Sequence, residues 1–198
     1  MYPIPKIQYL LLRLEGFWYG TTLDLNMGYY RIELSAKSKE VCTIVTQWGK
    51  YEHQQLPMGL CNIPDIFQEN MSELFFGLGT VRVYIGNLLH VTKGSCIEYL
   101  TILEEMFSRL QKAGLKFNSG KSCFGAHIFE YLGYHFTWDS VMPIPKKIDA
   151  IQSLAVPKTR KKLCQFIGVI NFYHDMWKKR SEIISPLTAL TSKNIKYE

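Results

Sequence analysis

A chain of 198 residues with 47% hydrophobic and 20% charged side chains can bury a proper core, which excludes an intrinsically disordered polymer. Lysine and arginine outnumber aspartate and glutamate by 23 to 17, so the net charge of +6 gives a mild bias toward anionic partners such as nucleic acid. Cys42, Cys61, Cys96, Cys123 and Cys164 have no Cys-x-x-Cys spacing, against a zinc site or a secreted disulfide framework. No apolar run reaches the roughly 18 residues of a membrane span, and residues 1–14 lack the charged-then-apolar order of a signal peptide. The expected setting is soluble and intracellular, cytoplasmic or nuclear, with no membrane partner.

The opening Pro3-Ile4-Pro5 predicts an extended segment, because proline disfavours helix at the residue before it. Residues 7–14 are apolar at helical spacing, with Gly16 as the stop. A strand is expected over 17–25, running inward to Asp24, then a short turn at Gly28-Tyr29-Tyr30. Alternation over 31–34 suggests more strand, 35–40 a polar turn, and 41–47 with 51–55 a hairpin about Trp48-Gly49-Lys50. Leu56-Pro57-Met58-Gly59-Leu60 reads as a loop where backbone can approach a ligand closely, before a helix over 66–74.

Two β-rich runs, 81–84 and 88–91, flank Gly86-Asn87, a hairpin pattern in which glycine supplies the positive φ. The strongest helical pattern is 97–112, with Leu100, Leu103, Met106, Phe107 and Leu110 as an apolar stripe and Gly114 as the stop. A short strand and basic turn over 115–121 precede a further hairpin about Gly133. From Met142 the texture changes: Pro143, Pro145 and Pro157 surround a short helix over 146–153, and a helix over 159–177 follows Lys158. The division expected is 1–140, mixed α+β, and 141–198, helical.

A strand-end carboxylate facing a hairpin suits in-line phosphoryl transfer, in which two divalent ions about 3.5–4 Å apart demand hard oxygen ligands. Asp24, the ring of Tyr29 and the hairpin that opens with Tyr84 are the candidates. Structural readings stand beside them: Asp24 as a turn cap, Tyr29 as a core aromatic, Lys121 as a solvated lysine. The run Lys158, Arg160, Lys161, Lys162 can track a phosphate backbone or be a solvated helix start, although cations at a helix N-terminus are unfavourable without a partner. His53, His90, His127, His135 and His174 show no metal-ligand spacing and read as structural.

Taken together and in order, these motifs resemble the reverse transcriptase domain of gypsy-type long-terminal-repeat retrotransposons. Leu23-Asp24-Leu25-Asn26-Met27-Gly28-Tyr29-Tyr30 resembles the family's first metal-binding motif, and Pro3-Ile4-Pro5-Lys6-Ile7 the segment that leads into the domain. Leu56-Pro57-Met58-Gly59-Leu60 through Asn62-Ile63-Pro64 and Phe67-Gln68 resembles the loop and helix that hold template and nucleotide. Ala113-Gly114-Leu115-Lys116-Phe117-Asn118 with Lys121 resembles the motif whose lysine assists the departing pyrophosphate. Glu130-Tyr131-Leu132-Gly133-Tyr134 resembles the primer grip, and Lys162 through Tyr173 with Ser185-Pro186-Leu187-Thr188 the thumb and connection.

The resemblance implies an α+β palm with an antiparallel sheet and packed helices, incomplete fingers and a helical thumb, with palm and partial fingers in 1–140 and thumb and the start of the connection in 141–198. It implies RNA-directed DNA polymerisation with magnesium, deoxynucleotide triphosphates and an RNA–DNA or DNA template-primer. Asp24 and Lys121 would be catalytic, Asp24 as the metal ligand; Tyr29, Met58, Gly59 and Tyr84 would face the nucleotide. Leu132, Gly133 and Tyr134, with the basic run Lys158, Arg160, Lys161 and Lys162, would face the template-primer. The departure is at the hairpin, where the family reads Tyr, any residue, Asp, Asp and this chain reads Tyr84-Ile85-Gly86-Asn87. Both hairpin carboxylates are replaced, so this copy is expected to be catalytically inactive. Against the family pattern the chain is also expected to lack the upstream fingers strand and the ribonuclease H domain that normally follows, as a fragment or degenerate copy would. The alternatives are a non-catalytic RNA- or DNA-binding module, which predicts salt-sensitive hybrid binding, and an inert remnant or structural subunit, which does not.

Overall fold

A computed structural model describes residues 2–11, 14, 16–173 and 179–192. The chain divides into two compact units, Met1–Leu132 with Phe136–Ser140, and Gly133–His135 with Val141–Glu198. Among the described residues no helix is long and apolar enough to cross a membrane.

The first unit is built around β1 (Tyr19–Asn26). After α1 (Ile7–Leu11) the chain enters this strand, which is covered on both faces over Gly20–Leu23, hence its continuous run of uncharged residues. β1 pairs antiparallel with β5 (Asn87–Thr92) on one side and with β6 (Lys116–Phe117) and β7 (Cys123–Ala126) on the other, and β4 (Val81–Tyr84) pairs with β5 outside it. Two helices cover the sheet, α3 (Ile63–Leu74) and α4 (Cys96–Lys112). Leu23, Phe67, Met71, Val83, Leu88 and Met106 meet in the core between them. Met106 is wholly buried, and its truncation to alanine costs about 2–5 kcal/mol.

Local chemistry sets the helix ends. Ser95 accepts from Glu98 N at 3.2 Å while Ser95 N donates to Glu98 Oε2 at 3.2 Å, a reciprocal cap that starts α4. Gly114, at φ 66°, ends it. At its first turns the buried face of α4 departs from the expected stripe, with Leu100 53% exposed and Tyr99 4% exposed, while Met106 and Leu110 are buried as expected. Tyr99 turns inward because its hydroxyl finds partners there, bonding Thr21 Oγ1 and accepting from Gly125 N at 2.9 Å. An apolar stripe read from sequence cannot anticipate a buried phenol that is satisfied.

Two further expectations change between Arg31 and Val41. Residues 31–34 make no strand; Arg31 closes a 3-10 turn, Gly28–Arg31, and only an isolated Glu33–Gln55 bridge follows. The polar stretch 35–40 is helical rather than a turn, α2 (Ala36–Val41), because the Ser35 side chain accepts from Ser38 N at 3.3 Å and acts as a cap. The hairpin of β2 (Thr43–Thr46) and β3 (Gly49–Glu52) turns at Gln47-Trp48, one residue earlier than expected, since Thr46 pairs with Gly49.

Beyond β8 (Phe129–Tyr131), the chain continues through β9 (Tyr134–Phe136) and β10 (Val141–Pro143). The second unit then holds α5 (Pro145–Gln152), α6 (Arg160–Asn171) and α7 (Arg180–Ala189). Leu163 and Ile170 of α6 and Ile184 of α7 are buried. The helix expected over 159–177 ends as α6 at Asn171; residues 174–178, His174 among them, lie outside the described residues, as do Leu12 and Arg13 of the first expected helix.

Candidate active site

β1 carries Asp24 to the end of the sheet where β4 turns into β5. Asp24 and Asn87 are Cα partners across the β1–β5 ladder, and Asn87 is also the partner of Tyr84 across β4–β5. The backbone around them is tied by several hydrogen bonds. Leu25 N donates to Gly86 O at 2.8 Å, the Tyr131 hydroxyl to Asn87 O at 3.4 Å, and Asn118 N to Asp24 O at 2.8 Å. Asp24 N donates to Ser122 Oγ at 3.4 Å, and that hydroxyl donates to Asn118 O at 2.7 Å. These bonds pin the 3-10 turn Ser119–Lys121 beside Asp24, with the Lys121 side chain exposed. Burial pushes the Tyr131 phenol far above its ordinary pKa, so at this end it is only a neutral donor.

The hairpin turns one residue earlier than the sequence suggests. Its turn residues are Ile85 and Gly86, with Asn87 already in β5. Ile85, not Gly86, takes the positive φ, at 52°. A β-branched residue there is a genuine outlier, and such a conformation costs about 1–3 kcal/mol. The compensation comes from α3: Gln68 accepts from Ile85 N at 2.6 Å and donates to Val83 O at 3.1 Å. Gln68 is 2% exposed. The sequence marks Gln68 through the Phe67-Gln68 resemblance and as an amide between Phe67 and Met71 on the apolar face of α3, but not its bracing of the hairpin turn.

Tyr29 sits on the turn that follows β1, its ring 4.7 Å from that of Phe67, and partial burial raises its pKa. Gly28 makes that contact possible, since a Cβ there would lie 2.5 Å from Phe67 Cζ. Met58 and Gly59 are exposed on the loop before α3, and no hydrogen bond among the described residues joins them to Asp24. In the second unit, Gly133 follows Leu132 at a tight turn, with φ 87° and 49°, a pair matching a primed hairpin turn. Tyr134 is buried, its ring 5.9 Å from Phe172. Lys158, Lys161 and Lys162 are exposed and Arg160 is half-buried; the first turn of α6 holds no acidic residue. The structure thus gathers Asp24, Tyr84, Gly86, Asn87 and the Lys121 turn at one end of one sheet.

The donor set does not fit a pair of divalent cations. Of the residues gathered here only Asp24 is a carboxylate; Asn87 offers a neutral carboxamide, and the Gly86 carbonyl is occupied by Leu25 N. Hard divalent ions at such sites take several anionic oxygens. Among the described residues no three His, Cys, Asp or Glu side chains are grouped to hold a metal.

Residues 1–136 match the family profile described as reverse transcriptase (RNA-dependent DNA polymerase). The retrovirus-related Pol polyprotein from transposon opus of Drosophila melanogaster is 34% identical over 96% of this chain, and that from transposon 297 of the same species is 30% identical over 100% of it. Each alignment takes in 19% of the relative, so the chain spans about a fifth of their length. Among solved structures, the foamy viral protease-reverse transcriptase in complex with dsDNA superposes with a TM-score of 0.89 at 26% identity, covering 100% of this chain and 42% of that one. The same viral protein in complex with RNA/DNA hybrid gives 0.86 at 25% identity, covering 98% and 26%.

Proposed function

The chain belongs to the reverse transcriptase (RNA-dependent DNA polymerase) family, and from that premise we propose that it is a retrotransposon reverse transcriptase domain silent in nucleotide addition. The observation that carries this reading is the pairing of Asp24 with Asn87 across the ladder. Polymerisation needs anionic oxygens on both sides of that ladder to hold two divalent ions, and here one side is a carboxamide beside a glycine. Each tenfold loss of rate corresponds to ~1.4 kcal/mol of barrier, and removing two carboxylates from such a site removes several such steps. On this reading the first unit is the palm with part of the fingers, and the second is the thumb with the start of the connection.

The test is extension of a primer on an RNA template with all four deoxynucleotides, in magnesium and in manganese. No product is expected; extension at the rate of a relative with the acidic hairpin overturns the proposal.

A second reading, retained binding of template-primer, is favoured by the first turn of α6, which carries Arg160, Lys161 and Lys162 and no acidic residue. The solved relatives in complex with dsDNA and with RNA/DNA hybrid support it by analogy. It is tested by titrating a labelled RNA–DNA hybrid at increasing salt, where affinity must fall steeply. No binding by a folded protein would leave a remnant or a structural subunit.

A further inference from the structure

Helix α5 buries none of its residues, although it is amphipathic. Most helices owe their stability to the packing of their apolar face. Here that face borders a groove: Ala150, Ile151 and Leu154 lie along one side and Val169, Phe172 and Tyr173 along the other, around a cavity of about 390 Å³. Leu154, Val169 and Phe172 remain 51%, 45% and 43% exposed.

Among the described residues the lining has one charged group. Lys147 borders the cavity, with Nζ 5.6 Å from the centre of the Phe172 ring, and it forms no ion pair among the described residues. Asp149 and Glu182 are the acidic residues among those described in the second unit, and neither lines the cavity. Gly133 leaves room for the ammonium, since a Cβ there would come within 3.0 Å of it. The aromatic wall is held in place: Phe172 and Tyr173 meet edge to face at 4.9 Å, and the Tyr173 hydroxyl donates to Gly133 O at 3.2 Å.

We propose that this groove between α5 and α6 binds a small aromatic carboxylate, its ring against Phe172 and Tyr173 and its carboxylate on Lys147. The volume is within the range of small-ligand sites, which are apolar with a few placed polar groups. A nucleic acid strand would need several cations along its phosphates, and this cavity supplies one. A peptide would bring backbone amides and carbonyls that an apolar lining leaves unpaired, at a cost of about 1–3 kcal/mol each. A flat ring with a single anionic end makes neither demand. Every residue of the site belongs to the second unit.

The test is calorimetric titration of the whole chain with 2-naphthoate and with its neutral analogue 2-naphthalenemethanol. A single saturable site is expected, with the carboxylate bound about fivefold more tightly, as for a partly exposed ion pair. Lys147→Gln removes that preference while keeping the alcohol's affinity, and Ala150→Trp, which fills the groove, abolishes binding of both. Both positions are exposed, and circular dichroism confirms that the variants fold. Absence of saturable binding, an unchanged preference in Lys147→Gln, or wild-type binding by Ala150→Trp would each overturn the proposal.

Discussion

Gln68 and Ile85 are joined by a 2.6 Å hydrogen bond in which the backbone of a left-handed isoleucine donates to a buried amide. The bond reaches from α3 to the tip of the β4–β5 hairpin and holds the turn in a register that places Asn87 opposite Asp24. A helix side chain thus braces the turn that sets Asn87 opposite the Asp24 carboxylate.

Replacing Gln68 with methionine keeps the volume but leaves Ile85 N and Val83 O without their partner. Two such groups cost about 2–6 kcal/mol together. Urea denaturation should show the loss as a lower midpoint with an unchanged slope. A loss below ~0.5 kcal/mol would mean that the turn holds itself.

The acidic hairpin can be rebuilt without moving the backbone. Gly86 lies outside the left-handed region, and a Cβ on it meets no atom within 4 Å. In Gly86→Asp with Asn87→Asp, three carboxylates then crowd the end of β1 and repel. The double variant should melt a few degrees below wild type in EDTA, about 1–2 kcal/mol at ~2–4 °C per kcal/mol, and recover with manganese. Wild type should ignore the metal. Equal stabilisation of both proteins by manganese would place a cation site in the chain as it stands.

His90 makes stability depend on pH. Its ring is fully buried, stacks on Tyr99 at 5.2 Å, and neither nitrogen has a full hydrogen bond. Burial pushes its pKa below the ordinary imidazole value, with the nearby backbone of Tyr99 and Thr80 pulling weakly the other way. The unfolded chain, near 6.5, therefore takes up a proton before the folded chain does. Stability is complete above about pH 6.5 and declines as pH falls from there toward the folded pKa. Melting curves at pH 7.5, 6.5 and 5.5 should show this decline, and His90→Leu should flatten it; an unchanged slope in that variant would assign the effect to other groups.

Charge at the start of α6 is testable by salt. If Lys161 and Lys162 lie on phosphates, Lys161→Ala with Lys162→Ala lowers the magnitude of the slope of log affinity against log salt by about 2, one contact each. A slope equal to that of wild type would leave both lysines in solvent.

Much of the fold was legible because its signals are local. The period of α4, its Ser95–Glu98 cap and the Gly114 stop involve neighbours in sequence, and so does the strand that carries Asp24. The family too was legible, since an ordered series of short motifs survives in sequence whatever their contacts. Other features depend on partners far along the chain. Ser35 reads as a turn residue or a cap with equal ease, and only the helix it starts decides between them. Tyr99 turns inward because Thr21 and Gly125, distant in sequence, meet its hydroxyl.

The hairpin shows the division most clearly. Its two β-rich runs and the loss of both acidic residues were determined by sequence alone, because strand propensity and side-chain charge belong to the residues themselves. Its register was decided by tertiary structure. Glycine is the residue that takes positive φ at least cost, yet Ile85 takes it, held by an amide from α3 that is 17 residues away. The left-handed conformation of Ile85 costs about 1–3 kcal/mol, and a buried hydrogen-bonding network built on two ladders outweighs it.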